Sequence, residues 1–198
     1  MTYINTEIPQ PGIGELLFYK GTTGKALSKL AHTLLHGPSP LRKGERELIA
    51  AYVSHLNGCE FCSDSHCASA DAHFGDDGKT TSFIRSDIMQ APVSEKMKAL
   101  LKLAARVQAG GKEVLPEHIE EAKSAGASDE DIHDTVLIAA AFCMYNRYVD
   151  GLRTQVPEDK EEYVEMGKRM AGSGYKYPPL FLRKWLIRSF QKKARKLN

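Results

Sequence analysis

No stretch of this chain is apolar for the length of about 20 residues that a bilayer-spanning helix needs, and no segment alternates with period two for long enough to suggest a sheet. Residues 1–20 lack a basic start followed by an apolar run, so no secretory leader is expected. The four cysteines form no evenly spaced framework, which argues against a disulfide-built secreted domain. No second Cys-x-x-Cys accompanies the one at Cys59 and Cys62, and a structural zinc site usually draws ligand pairs from two elements. Excess charge is lacking too: 27 Lys and Arg against 25 Asp and Glu leave a net charge of +2.

What is present is 198 residues, 42% of them hydrophobic, enough for one globular domain with a proper core. The expected setting is a reducing cytoplasm, where a Cys-x-x-Cys cycles more readily than it staples. Helical periodicity dominates. Leu41, Leu48, Ile49, Tyr52, Val53 and Leu56 share a stripe, so the spacing predicts a helix over Pro40 to Leu56, stopped by Asn57-Gly58. A second helix restarts at Cys59 and carries Cys62, His66, Ala70 and Phe74 to the loop at Gly75. A turn this short makes the two helices antiparallel neighbours. Further helices are predicted over Gly24 to His36, Ser94 to Ala109, Pro116 to Ala125 and Asp129 to Val149, the last apolar nearly all round from Leu137 to Met144. Asp77 to Pro92 reads either as a mobile loop or, from Phe83, Ile84, Ile88 and Met89, as a packed helix. The fold class is therefore all-α: a helical bundle built on an antiparallel pair that carries E-x11-C-x2-C-x3-H.

That pair concentrates the chemistry. Cys59 and Cys62, at i and i+3 in a first helical turn, put both sulfurs on one face, where the helix dipole favours thiolates. A thiolate attacks peroxide, becomes a sulfenic acid and is resolved by a second thiol. His66 follows one turn after Cys62 and can hold or relay a proton, and Glu47, at a similar height on the preceding helix, can fix its tautomer. On a helical wheel Glu47 lies opposite the apolar stripe, while Glu45 aligns with it. The neighbours of Glu47 are small, however (Gly44, Ala50, Ala51, Ser54), so the helix reads as buried on both sides with Glu47 facing the site. Cys67 and Cys143 read as packed residues, His55 and His73 as surface or interface residues, and His32 and His36 as sitting at a helix C-terminus where an imidazolium is favoured.

The string Glu47-Leu48, Ala50, Val53-Ser54, Asn57-Gly58-Cys59, Cys62, Ser65-His66 resembles the signature of the alkylhydroperoxidase D family, within the carboxymuconolactone decarboxylase superfamily, and the chain most resembles its peroxidase-related subgroup over roughly residues 40 to 152. The resemblance implies that Cys62 forms the sulfenic acid, that Cys59 donates a proton and resolves it, and that Glu47 and His66 form the proton relay. It implies no bound cofactor and no metal, an external dithiol as reductant, and homo-oligomers from dimers to trimers and hexamers. The chain departs from the family at Phe61, where the best-known member has a histidine. The function expected is a thiol-dependent hydroperoxide reductase. The alternatives are a disulfide-reductase adaptor for a peroxiredoxin or a lipoyl or thioredoxin-like protein, with Cys59 the more exposed thiol, and a cysteine-independent lactone decarboxylase using Glu47 and His66.

Around a core of residues 39–152, residues 1–38 are expected to form an arm and one helix, with breaks at Pro9 to Gly14 and Gly37 to Pro40, and residues 153–198 an extension of the same domain. Asn146-Arg147 reads as structural. From Arg183 to Asn198 the chain holds seven Lys or Arg and no acid, so its removal would take the net charge from +2 to −5. Trp185, Leu186, Ile187, Phe190 and Leu197 are interleaved there. The favoured reading is an arm packed on an acidic neighbouring subunit; membrane contact is the alternative, and no nucleic-acid partner is expected.

Overall fold

The computed structural model describes residues 2–6, 8, 11–157 and 159–194. Nine α-helices and three short 3-10 turns account for the regular structure, with no strand among the described residues. The helices are α1 (Ile13–Tyr19), α2 (Gly21–His36), α3 (Lys43–Leu56), α4 (Glu60–Phe74), α5 (Glu95–Ala109), α6 (Pro116–Ser124), α7 (Asp129–Gly151), α8 (Lys160–Ser173) and α9 (Leu180–Ala194). The all-α expectation holds.

Most of the core lies among α3, α5 and α7, where Leu48, Ile49, Met97, Leu100, Leu101 and Ile138 are almost wholly excluded from solvent. Burying each such side chain contributes about 1.5–3 kcal/mol, which is why the apolar stripes decide how these helices face one another. The expected helix from Pro40 begins instead at Lys43, because the preceding residues have other partners. The Ser39 hydroxyl donates to Asp134 at 2.6 Å and accepts from the Leu41 N–H at 3.2 Å, and Glu45 caps the new start by accepting from the Arg42 N–H at 2.8 Å.

Asn57-Gly58 ends α3 as expected, with Gly58 at φ 74°, a conformation that costs glycine little. The amide of Asn57 donates to Asn146 at 2.8 Å, Asn146 donates to Ser54 at 3.0 Å, and Gln108 donates to Asn57 at 2.9 Å. The hinge carrying the Cys-x-x-Cys is thus tied to α5 and α7, a structural use of Asn146. Arg147 donates to the Cys143 carbonyl at 2.8 Å within its own helix. Asp77 to Pro92 forms neither one helix nor an open loop. It holds two 3-10 turns, Thr81–Arg85 and Ile88–Gln90, pinned by buried Ile84 and Ile88.

The C-terminal extension does more than its sequence suggested. Helix α8 runs along α4 so closely that a Cβ on Gly167 would sit 2.4 Å from the Ala68 backbone. Beyond it, α9 lays Phe190 edge-on against Phe18 of the same chain, with centroids 5.4 Å apart, while Phe181 and Trp185 stay exposed. Leu197 of the proposed arm, and Pro9 of the N-terminal one, lie outside the described residues.

Candidate functional site

Helices α3 and α4 bring the sequence-derived residues together. Glu47 projects from the middle of α3 and is fully buried; His66, one turn beyond Cys62 on α4, points its Nδ1 at a Glu47 oxygen 2.7 Å away. A carboxylate is an acceptor, so Nδ1 carries the shared proton and Nε2 is left as the basic nitrogen of the ring. The ring is held edge-on by Phe142 of α7, with centroids 4.6 Å apart. Glu47 therefore faces the site, as its small neighbours suggested: a Cβ on Gly44 would meet Phe74 at 2.9 Å and His73 at 3.1 Å, which shows how closely α4 approaches α3.

One member of the site was missed in the sequence. The Tyr175 hydroxyl donates to both Glu47 oxygens, at 2.7 and 2.9 Å, and lies 3.3 Å from His66 Nδ1. Burial and the adjacent Glu47 charge push its phenol well above the usual tyrosine range, so it stays a donor. Its segment follows Gly174 in a stretch with no helical period, and only the fold carries it back to α3.

The two thiols differ. Cys59 occupies the N-cap position of α4 and is 0% exposed; Cys62 lies in the first turn and is 4% exposed. A hydrogen bond with Cys62, followed by burial, pushes the Cys59 thiol far up. This corrects two expectations: at Cys59 the contact with its partner outweighs the helix start, and Cys59 is not the more exposed thiol. No disulfide joins the pair in this structure. Burial also lifts Cys67 to about 12, in keeping with a packed residue. Cys143 is half-buried and receives a contact from Asn57 at 3.6 Å.

Cys62 and His66 open onto a mainly apolar cavity of about 810 Å³, walled by α1, α2 and α7, by α8 and by Tyr175 and Phe190. Phe61 forms part of this wall and packs on Tyr163, so an apolar surface stands where the best-known family member has a histidine. Cys59 opens on the other side, onto a smaller pocket of about 300 Å³ with His55, Glu60 and Arg85.

Behind Glu47 lies a second cluster. His36, in the last turn of α2, places Nε2 4.0 Å from Glu47 Oε1, and His73, in the last turn of α4, joins them. The expectations for these histidines are overturned. Burial, with Lys43 next, lowers His36 to about 4 rather than favouring an imidazolium, and burial likewise lowers His73, which is not a plain surface residue. Arg46, also missed in the sequence, seats α2 on α3 by donating to the Leu34 and Gly37 carbonyls at 2.9 and 3.0 Å. The one-turn spacing from His32 to His36 was the available signal for the cluster.

The sequence profile of the carboxymuconolactone decarboxylase family matches residues 22–76 and 80–154, most of the chain and all of the thiol motif. The chain belongs to that family. Among solved structures, this family member is similar to an uncharacterized peroxidase-related protein from Silicibacter sp. TM1040, with 26% identity, 78% of each chain covered and a TM-score of 0.71. An uncharacterized peroxidase-related protein from Ralstonia eutropha JMP134, described as an alkylhydroperoxidase AhpD core, shares the fold at 24% identity, with 80% of this chain and 81% of that one covered and a TM-score of 0.71. A protein of unknown function from Agrobacterium tumefaciens, associated by name with AhpD antioxidant defence, shares it at 24% identity, with 80% and 100% covered and a TM-score of 0.65. No curated protein matches the chain. Among the described residues no helix is long and apolar enough to cross a membrane.

Proposed function

We propose that this member of the carboxymuconolactone decarboxylase family is a thiol-dependent hydroperoxide reductase of the alkylhydroperoxidase D type. The observation that carries the reading is the division of the thiol pair: Cys62 and His66 face a large apolar cavity, while Cys59 keeps its proton and hydrogen-bonds to Cys62 from the opposite side. An organic hydroperoxide enters the cavity and the Cys62 thiolate attacks its distal oxygen. The O–O bond breaks, the alkoxide takes a proton delivered through His66, and Cys62 becomes a sulfenic acid. Glu47 and Tyr175 hold His66 in the tautomer that presents Nε2. The Cys59 sulfur then attacks Cys62, water leaves, and the disulfide stores the two electrons given to the peroxide. An external dithiol entering through the cavity attacks the Cys62 sulfur and restores the pair by thiol exchange, with Cys59 as the leaving thiol. No bound cofactor enters these steps, and a reducing cytoplasm suits them.

Peroxide consumption by the reduced protein tests the reading, with free thiols counted before and after. Wild type should lose two thiols per turnover, Cys59→Ser should stop at a trapped sulfenic acid, and Cys62→Ser should not react. An activity that survives both substitutions would replace this reading with acid–base chemistry by Glu47 and His66, as in a lactone decarboxylase. The adaptor reading requires a partner sulfur to reach Cys59, and the 0% exposure of Cys59 weighs against it. Exposed Phe181 and Trp185 suit an arm that docks on a neighbouring subunit of a homo-oligomer. Truncation before Lys184 should then lower the number of subunits per particle measured by light scattering, and an unchanged oligomer would remove the arm.

A further inference from the structure

The cluster behind Glu47 has the chemistry of a metal site. His36 comes from the end of α2, His73 from the end of α4 and Glu47 from the middle of α3, and one ligand-capable atom of each lies within 4.8 Å of the others. The His36 side chain is only 4% exposed and Glu47 is fully buried. The Nε2 atoms of His36 and His73 are both buried without a hydrogen-bond partner. An unsatisfied buried polar atom typically costs about 1–3 kcal/mol, and here two of them belong to imidazoles beside one carboxylate.

We propose that His36, His73 and Glu47 bind one divalent transition-metal ion of the zinc class, with water in the remaining position. Two imidazoles and one carboxylate suit zinc, cobalt or nickel, whereas magnesium and calcium prefer all-oxygen ligands. Metal–ligand bonds of about 2.0–2.2 Å in a tetrahedron put ligand atoms about 3.4 Å apart. The 4.0 Å between His36 Nε2 and Glu47 Oε1 therefore closes by roughly half an ångström, a small side-chain adjustment. The hydroxyl of Tyr175 already steadies the carboxylate, and His32 stacks on His36 with centroids 5.5 Å apart and planes at 17°. Lys43 and Arg46 lie close enough to oppose a cation.

The site shares Glu47 with the thiol centre but does not depend on peroxidase chemistry, and the two are separated by testing binding in protein without the motif thiols. Full-length Cys59→Ser/Cys62→Ser protein is titrated with cobalt(II) and followed by its visible d–d absorption, then with zinc by calorimetry. One equivalent per chain is expected, with a nitrogen and oxygen spectrum and no thiolate charge-transfer band. His73→Gln and His36→Gln, each checked for native helicity by circular dichroism, should each weaken binding at least tenfold. X-ray absorption on the zinc-loaded protein should report a first shell of nitrogen and oxygen only. Absence of binding, or full affinity retained in both histidine variants, would overturn the site.

Discussion

Replacing Tyr175 with phenylalanine removes one oxygen and should have effects well beyond that atom. Its hydroxyl donates to both oxygens of a carboxylate that is 0% exposed, and among the described residues only His66 also hydrogen-bonds that carboxylate. A hydrogen bond to a charged group is worth about 1.5–3 kcal/mol, and the phenyl ring leaves Glu47 short of a donor. At about 2–4 °C per kcal/mol for a chain of this length, the melting temperature should fall by roughly 3–12 °C. Tyr177→Phe is the matched control, because its hydroxyl reaches the Leu17 carbonyl at 3.4 Å, a weak bond whose loss should cost less than about 0.5 kcal/mol. Single-turnover peroxide reduction should slow about tenfold in Tyr175→Phe, the factor that corresponds to about 1.4 kcal/mol. A double-mutant cycle with Glu47→Gln should show a coupling of more than about 1 kcal/mol. If Tyr175→Phe and Tyr177→Phe melt within a degree of each other and react alike, the phenol does not support Glu47 and the relay must be redrawn without it.

Cys59 has a raised folded pKa, so its protonated form is stabilised by folding. That contribution is complete below the ordinary thiol range and is lost as pH rises through it toward the folded value. Under reductant, denaturation from pH 7 to 10 should show wild-type stability declining relative to Cys59→Ser above about pH 8.5; parallel curves would contradict the shift. Arg46→Met keeps the bulk of the side chain but strands the Leu34 and Gly37 carbonyls, and guanidinium unfolding should show a loss of about 3 kcal/mol with an unchanged slope. In Gly167→Ala the added methyl meets the Ala68 backbone, so thermal melting should register about 1–3 kcal/mol of destabilisation as α8 is pushed off α4.

The parts of this fold legible in the sequence are those in which one helix announces itself. The stripe of α3, the Asn57-Gly58 stop, the helix that begins near Ser94 and the apolar length of α7 all follow from local spacing, and each falls within a few residues of its expected place. Glu47 was legible only from the patch of small residues around it taken together with the resemblance to the family's signature. What local spacing does not carry is contact between distant segments. Tyr175 is 128 residues from the carboxylate it holds, and Arg46 looks like one more charge at a helix start until its guanidinium is seen closing the end of α2. His36 and His73 illustrate the same limit. Each sits at a helix C-terminus where a cation is usually favoured, and burial reverses that preference only because three helices converge there.

The family match ends at residue 154, yet much of what shapes this site lies beyond it. Cys59, Cys62, His66 and Glu47 are all inside the match and supply the reactive groups. The wall opposite Cys62 comes from α8, Tyr175 and Phe190, which also determine how large and how apolar a molecule can approach. Substrate choice should therefore follow the C-terminal extension and the chemical step the matched core. Widening the cavity with Met166→Ala or Phe190→Ala should change the ranking of bulky against small hydroperoxides more than it changes the thiol stoichiometry. A ranking unchanged by both substitutions would mean that peroxide reaches Cys62 by another route, and that the cavity serves something other than substrate.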